Sequence, residues 1–250
     1  MVASEASSAA LAPKSARLRL EEVFFPFMAL LIIAAVFLGF ARTFFLAPIY
    51  HYHLPNLLVA LHGIVFSSWI ALFAIQASLV PAGRVDLHKK LGAFGAVLVS
   101  LVLIMGYVVM LEGLHRGIAF RGQDDAQILA LDVIGIHVSF AMFVAGLLLR
   151  RDPTFHKRLM LFGTVGMLGP AIARWPFEFI AAKPPLVGLV LQSFALATII
   201  FDLLTRRRIH RATWLCVVSL FLVPLIAVPL STMPSWHQLL ASLKQLLTRF

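Results

Sequence analysis

Long, uninterrupted apolar runs constrain the fold of this chain more than any other feature of its sequence. A helix that crosses the hydrocarbon core of a bilayer needs about 20 mostly apolar residues. Seven runs reach this length, and each predicts a transmembrane helix: residues 23–42, 55–80, 89–111, 127–150, 157–180, 184–205 and 213–231. The sequence therefore predicts an all-α polytopic membrane protein with seven transmembrane helices, in which helices 2–5 form a four-helix core.

The composition supports a membrane domain without a separate soluble domain. Of the 250 residues, 61% are hydrophobic and 13% are charged, whereas an average soluble domain has about 45–50% apolar and about 25% charged residues. The net charge of +10 comes from short loops, where basic residues orient helices and contact anionic lipid head groups. The predicted partner is therefore the lipid bilayer and not nucleic acid.

The loop charges also predict an orientation. The loops on the side of the N-terminus carry about twice as many Lys and Arg residues as the loops on the other side. Because the richer side faces the cytoplasm, we expect a cytoplasmic N-terminus, an external C-terminus and a location in a bacterial inner (plasma) membrane. Residues 1–22 are predicted to be a disordered tail, 23–231 the seven-helix domain, and 232–250 an amphipathic helix in the outer interface.

A repeated motif draws attention to four histidines. Residues 88–95 read HKKLGAFG and residues 156–163 read HKRLMLFG, so that each motif opens a helix at the cytoplasmic face. A further histidine, His62 or His137, lies inside the helix that precedes each motif. Ionisable residues at membrane depth are costly and are usually functional.

The four histidines fit a haem hypothesis. Neutral imidazole is a good iron ligand, and helical bundles often build such sites from ligands on facing helices. Helices 2 and 4 run in one direction and helices 3 and 5 in the other. The prediction is one pair, His62 and His137, toward the outer half and a second pair, His88 and His156, near the inner surface. The alternatives are anchoring to lipid head groups and hydrogen bonding across the bundle.

Helices 2–5 resemble the di-haem transmembrane cytochrome b group, of the cytochrome b561-like type. The chain is also similar to uncharacterised bacterial multi-pass membrane proteins with the pattern H…W…Q…GR…H[RK]xLG. That pattern is matched by His62, Trp69, Gln76, Gly83, Arg84, His88, Lys89, Leu91 and Gly92. The resemblance implies two b-type haems, one on His62 and His137 and one on His88 and His156. It also implies a membrane oxidoreductase that moves electrons from a quinol or other small reductant to an acceptor.

Two charged residues, Asp132 and Arg174, are predicted to lie toward the outer half of the membrane, where a buried charge needs a partner of opposite charge. Arg174 is predicted to pair with Asp132 or with Glu178, and a haem propionate is the functional alternative. The alternative to electron transfer for the whole chain is a cofactor-free membrane scaffold or an assembly factor for another complex.

Overall fold

The computed structural model describes residues 16–54, 56–117, 124–181 and 183–248, and the regular elements within these ranges are helices. We number the α-helices in chain order; a π-helical segment, Ala41–Phe45, follows the first. They are α1 Ala16–Phe40, α2 Leu57–Leu79, α3 Val85–Arg116, α4 Asp125–Leu148, α5 Pro153–Gly166, α6 Gly169–Ile172, α7 Glu178–Ala181, α8 Pro184–Arg206, α9 Arg211–Ser231 and α10 Pro234–Leu247.

Within the described ranges, six helices are long and apolar enough to cross a membrane. They are Leu20–Phe45, Leu57–Leu79, Val85–Arg116, Asp125–Leu148, Pro184–Arg206 and Arg211–Ser231. Many large apolar side chains on these helices are exposed at the surface of the protein, where a bilayer would solvate them. The chain is therefore an integral, multi-pass membrane protein.

The segment predicted as a single helix over residues 157–180 is broken. Helix α5 ends at Gly166, and the short helices α6 and α7 follow it. Pro170 lies in the first turn of α6, where its missing N–H removes one bond that would have continued α5. Pro176 lies between α6 and α7, and it too lacks the backbone N–H that a continuous helix would need.

The broken segment lies at the centre of the protein. Leu161, Phe162, Val165, Leu168 and Ile172 are almost completely buried. Helix α5 contacts α1, α4, α8 and α9, and the pair of α2 and α3 packs beside α1 and α4. The side chains of α5 are thus shielded from the bilayer by neighbouring helices.

The N-terminal and C-terminal segments differ in how closely their observed helices follow the predicted bounds. Helix α1 begins at Ala16, before the predicted boundary at residue 23, and residues 1–15 lie outside the described ranges. The C-terminal amphipathic pattern forms α10, which packs against α3, α4 and α9. Its Trp236 indole donates a hydrogen bond of 2.9 Å to the Ala126 carbonyl. Leu239 and Leu246 on the same helix stay exposed.

Candidate functional site

His156 lies in the first turn of α5, and the residues before it fix where that turn begins. The Asp152 carboxylate caps the helix by accepting hydrogen bonds from the backbone N–H groups of Thr154 and Phe155. The bond from Phe155 holds the pKa of Asp152 below its ordinary value. Pro153 occupies the start of the helix, where its fixed φ is favourable. The cap therefore sets the position of His156 at the end of α5.

The His156 ring is oriented by a hydrogen bond to the backbone of α4. Its Nδ1 lies 2.8 Å from the Gly146 carbonyl oxygen on α4. Because a carbonyl can only accept, Nδ1 donates this bond, and in the neutral ring Nε2 then carries the lone pair. This is the arrangement that prepares a histidine to ligate a metal through Nε2.

His88, in the first turn of α3, faces His156. The two ring centres are 6.1 Å apart, and the ring planes are nearly perpendicular at 87°. The Gln76 side-chain amide donates a hydrogen bond of 3.1 Å to the His88 carbonyl, which ties the end of α2 to the start of α3. The buried Nδ1 of His88 finds no hydrogen-bond partner among the described residues.

The distance between the two rings matches opposed ligation of one metal. With a metal–nitrogen distance of about 2 Å on each side, the centres of two opposed imidazoles lie about 6 Å apart. Among the described residues, no group of three or more His, Cys, Asp or Glu side chains could hold a metal ion. A bare zinc ion needs such a group, whereas haem iron needs only axial ligands from the protein.

Several buried polar side-chain atoms find no hydrogen-bond partner among the described residues. His62 Nδ1, Trp69 Nε1 and Gln76 Oε1 are three of these atoms. Their residues recur every seven positions on α2 and so share one face of the helix. Trp69 is only 2% exposed, and an unsatisfied buried group costs about 1–3 kcal/mol. We therefore expect waters or a bound group along this face of α2.

The predicted outer pair is not brought into contact. The His62 ring lies 6.0 Å from the ring of Phe66. The His137 ring is exposed and lies within hydrogen-bonding distance of the Tyr107 hydroxyl on α3. Within the described residues, no ring contact joins His62 to His137. The second predicted haem thus stays a prediction, and the geometry adds no support for it.

Arg174 lies in the segment between the short helices α6 and α7. It donates a hydrogen bond of 2.8 Å to the Pro170 carbonyl, and its guanidinium lies 5.2 Å from the Phe40 ring centre. Its charge acts on both His62 and Asp132, and the pairing with Asp132 or Glu178 stays a prediction. Arg174 influences His62 on α2, whereas Gln76 on the same helix bonds to His88. His62 and Gln76 lie about four turns apart, roughly 21 Å. Arg174 is therefore remote from the His88–His156 pair.

Arg158 belongs to the second basic motif, which predicts a charge at the membrane surface, yet its side chain is completely buried. Its guanidinium forms an ion pair with the equally buried Asp202 of α8. Its Nε donates a hydrogen bond of 3.0 Å to the Thr213 hydroxyl of α9, and that hydroxyl donates to Asp202. A lone carboxylate in an apolar helix was the available signal, because such a group requires a cation.

Comparison of the chain with protein-family models, with curated proteins and with solved structures gives no match. Its function is therefore inferred from its own residues.

Proposed function

We propose that the chain is a b-type haem-binding integral membrane protein that transfers electrons, and that His88 and His156 would hold one haem. The observation that carries this proposal is the pair of facing imidazoles with ring centres 6.1 Å apart. The ligands would come from the first turns of α3 and α5, and so from one end of the bundle. The reductant would be a quinol or another small electron donor.

The chain's own residues would prepare both ligands. The hydrogen bond from His156 Nδ1 to the Gly146 carbonyl orients the ring and raises the basicity of Nε2. Gln76 fixes the backbone of His88 and leaves the imidazole of His88 available. Bound haem supplies one-electron chemistry, and its burial and axial ligands set the reduction potential.

A seventh crossing of the membrane completes the proposal. Arg158 at the start of α5, Asp202 in α8 and Thr213 at the start of α9 bond to one another, which supports placing these helix ends at one surface. Helix α8 has 23 residues and is about 34 Å long. Its first residue therefore lies near the membrane surface opposite to its last residue. The chain between α4 and α8 then crosses the membrane as a broken helix, and the basic loops put the N-terminus in the cytoplasm.

Haem content tests the function. Protein purified from haem-replete cells is expected to show b-type absorption bands on reduction, with one haem per chain. His88→Ala and His156→Ala should each remove these bands, because either change deletes an axial ligand. The matched control is His115→Ala, which alters an exposed histidine of α3 and should keep the full haem content.

The other histidines separate the remaining models. If His62→Ala and His137→Ala leave the haem content unchanged, one haem is present and the outer pair is not a haem site. Two haems per chain, one of them lost in His137→Ala, would instead favour the di-haem arrangement. A colourless wild-type protein would contradict haem binding and favour the scaffold alternative. Full haem content in the His88→Ala/His156→Ala double variant would instead contradict the assignment of His88 and His156 as the ligands.

Cysteine labelling tests the orientation. Cys216 is buried, so the wild-type chain supplies a low background. A membrane-impermeant maleimide should label Lys183→Cys in intact cells, whereas Arg151→Cys should react only after permeabilisation. Both positions are exposed and lie on opposite sides of the broken segment. Labelling of both variants from the same side would show that residues 153–183 do not cross the membrane.

A further inference from the structure

Five exposed arginines gather at one end of the helix bundle, in or beside the loop from α4 to α5 and the loop from α8 to α9. They are Arg150, Arg151, Arg207, Arg208 and Arg211, and we call them the arginine patch. The two loops adjoin, because the ring centre of Phe155, at the start of α5, lies 5.1 Å from that of His210 in the second loop. The bonds among Arg158, Asp202 and Thr213 hold the same helix ends together.

The protein does not neutralise the charges of the arginine patch. Among the described residues, none of the five arginines forms an ion pair. By contrast, Lys157 and Arg206 at the same end share the Glu21 carboxylate, at 3.0 and 3.8 Å. The two loops contain one acidic residue, Asp152, and its carboxylate already accepts from two backbone N–H groups. The patch therefore keeps an excess of positive charge for an anion from outside the protein.

The residue type indicates which anion fits. Lys and Arg orient a membrane protein equally well, yet the whole patch is arginine, whereas the start of α3 carries Lys89 and Lys90. A guanidinium matches two oxygens of a phosphate with parallel hydrogen bonds, and an ammonium does not. Arg150 donates a bond of 3.0 Å to the Leu147 carbonyl, which is the one side-chain hydrogen bond of the patch within the described ranges. The remaining guanidinium donors are available to phosphate.

Apolar side chains continue from the arginine patch into the membrane-spanning helices. On α9, Trp214 and Val218 follow Arg211 at the spacing of one helix face, and both are exposed. On the neighbouring α4, Val144 and Leu148 are exposed in the same way and precede the patch by a few residues. An exposed indole is typical of the level where head groups meet acyl chains. A ligand of the patch therefore meets arginines on one side and an apolar surface on the other.

From the charge and the apolar surface together, we propose that the arginine patch is a specific site for an anionic phospholipid, with a preference for cardiolipin. Cardiolipin joins two phosphates through one glycerol, so that the arginines of each loop meet a phosphate, and its acyl chains cover the exposed faces of α4 and α9. Basic pockets between membrane helices suit such head groups. A soluble phosphate would leave the apolar surface uncovered. The site shares no residue with the His88–His156 pair and does not depend on haem.

Native mass spectrometry of the delipidated full-length protein in detergent tests the site. The protein is titrated separately with tetraoleoyl cardiolipin, dioleoyl phosphatidylglycerol and dioleoyl phosphatidylcholine. We expect one cardiolipin per chain, bound more tightly than either of the other lipids. The variant Arg151→Gln/Arg208→Gln/Arg211→Gln should lower the association constant of cardiolipin about tenfold or more, because it removes charge-assisted hydrogen bonds to phosphate. Arg151→Lys/Arg208→Lys/Arg211→Lys keeps the charge and should still lose about threefold, because it removes the paired bonds.

A matched variant separates the site from the net charge. Arg84→Gln/Lys89→Gln/Lys90→Gln removes three exposed basic residues from the same end of the bundle and should bind cardiolipin as the wild type does. An equal loss in the two glutamine variants would overturn the proposal, and so would equal binding of the three lipids by the wild type. Displacement of cardiolipin by excess inorganic phosphate would assign the patch to a soluble anion instead. The haem absorbance of the same samples reports separately on the proposed function.

Discussion

Replacement of Arg158 by methionine is expected to lower the free energy of unfolding by about 3–5 kcal/mol, because it leaves Asp202 as an uncompensated buried charge. Both side chains are completely shielded from solvent. Methionine keeps much of the length of the arginine stem, so the change removes the charge and its hydrogen bonds more than it removes volume. The measurement is the unfolding midpoint of the purified protein in detergent, together with the yield of monodisperse protein.

A double-mutant cycle distinguishes the ion pair from simple packing. Asp202→Asn alone leaves the arginine charge buried and should also destabilise the protein. The double variant Arg158→Met/Asp202→Asn removes both charges and should recover most of the loss. The control is Arg208→Met, at an exposed position of the neighbouring loop, with an expected change within about 0.5 kcal/mol. Additive losses in the double variant would contradict the coupling.

Replacement of Gly39 by alanine is the second change with a large expected effect. A β-carbon at this position of α1 would lie 2.1 Å from the Ala171 carbonyl oxygen, which belongs to the backbone of α6. Backbone cannot rotate away as a side chain can, so the two helices must separate. Overpacking of this kind costs about 1–3 kcal/mol and occasionally more, and the unfolding midpoint in detergent should fall accordingly.

Gly188 in α8 is the matched control. A β-carbon there would meet nothing within 4 Å, and alanine is favoured over glycine in a helix by about 1 kcal/mol. Gly188→Ala should therefore leave the midpoint unchanged or raise it. An equal drop in both variants would show that the close approach of α1 to α6 does not limit stability.

The membrane helices could be predicted because their signal is local. Length and hydropathy alone place α2, α3, α4, α8 and α9 close to their observed bounds. The broken segment after α5 could not be predicted as firmly, although Pro170 and Pro176 stand in the sequence. A proline within a membrane helix can either bend the helix or end it. The packing of the neighbouring helices decides between these two outcomes.

The candidate site shows the same division between local and long-range information. The repeated motif starts a helix twice, and His88 and His156 in the first turns of these helices lie face to face. His62 and His137 lie within helices, where rotation about the helix axis decides what each ring meets. That rotation depends on every neighbouring helix, and it turns His137 toward Tyr107 and the lipid. Arg158 was missed because its partner lies 44 residues away in sequence.

The buried pair of Arg158 and Asp202 has a consequence for the biogenesis of the protein. The ribosome delivers the arginine 44 residues before the aspartate that neutralises it. In the interval, the Arg158 charge has no counter-ion in the position where the folded protein buries it, and an uncompensated buried charge is costly. We therefore expect the segment from α5 to α7 to settle between its neighbours only after α8 has left the translocon, so that the last helices to be synthesised complete the centre of the protein.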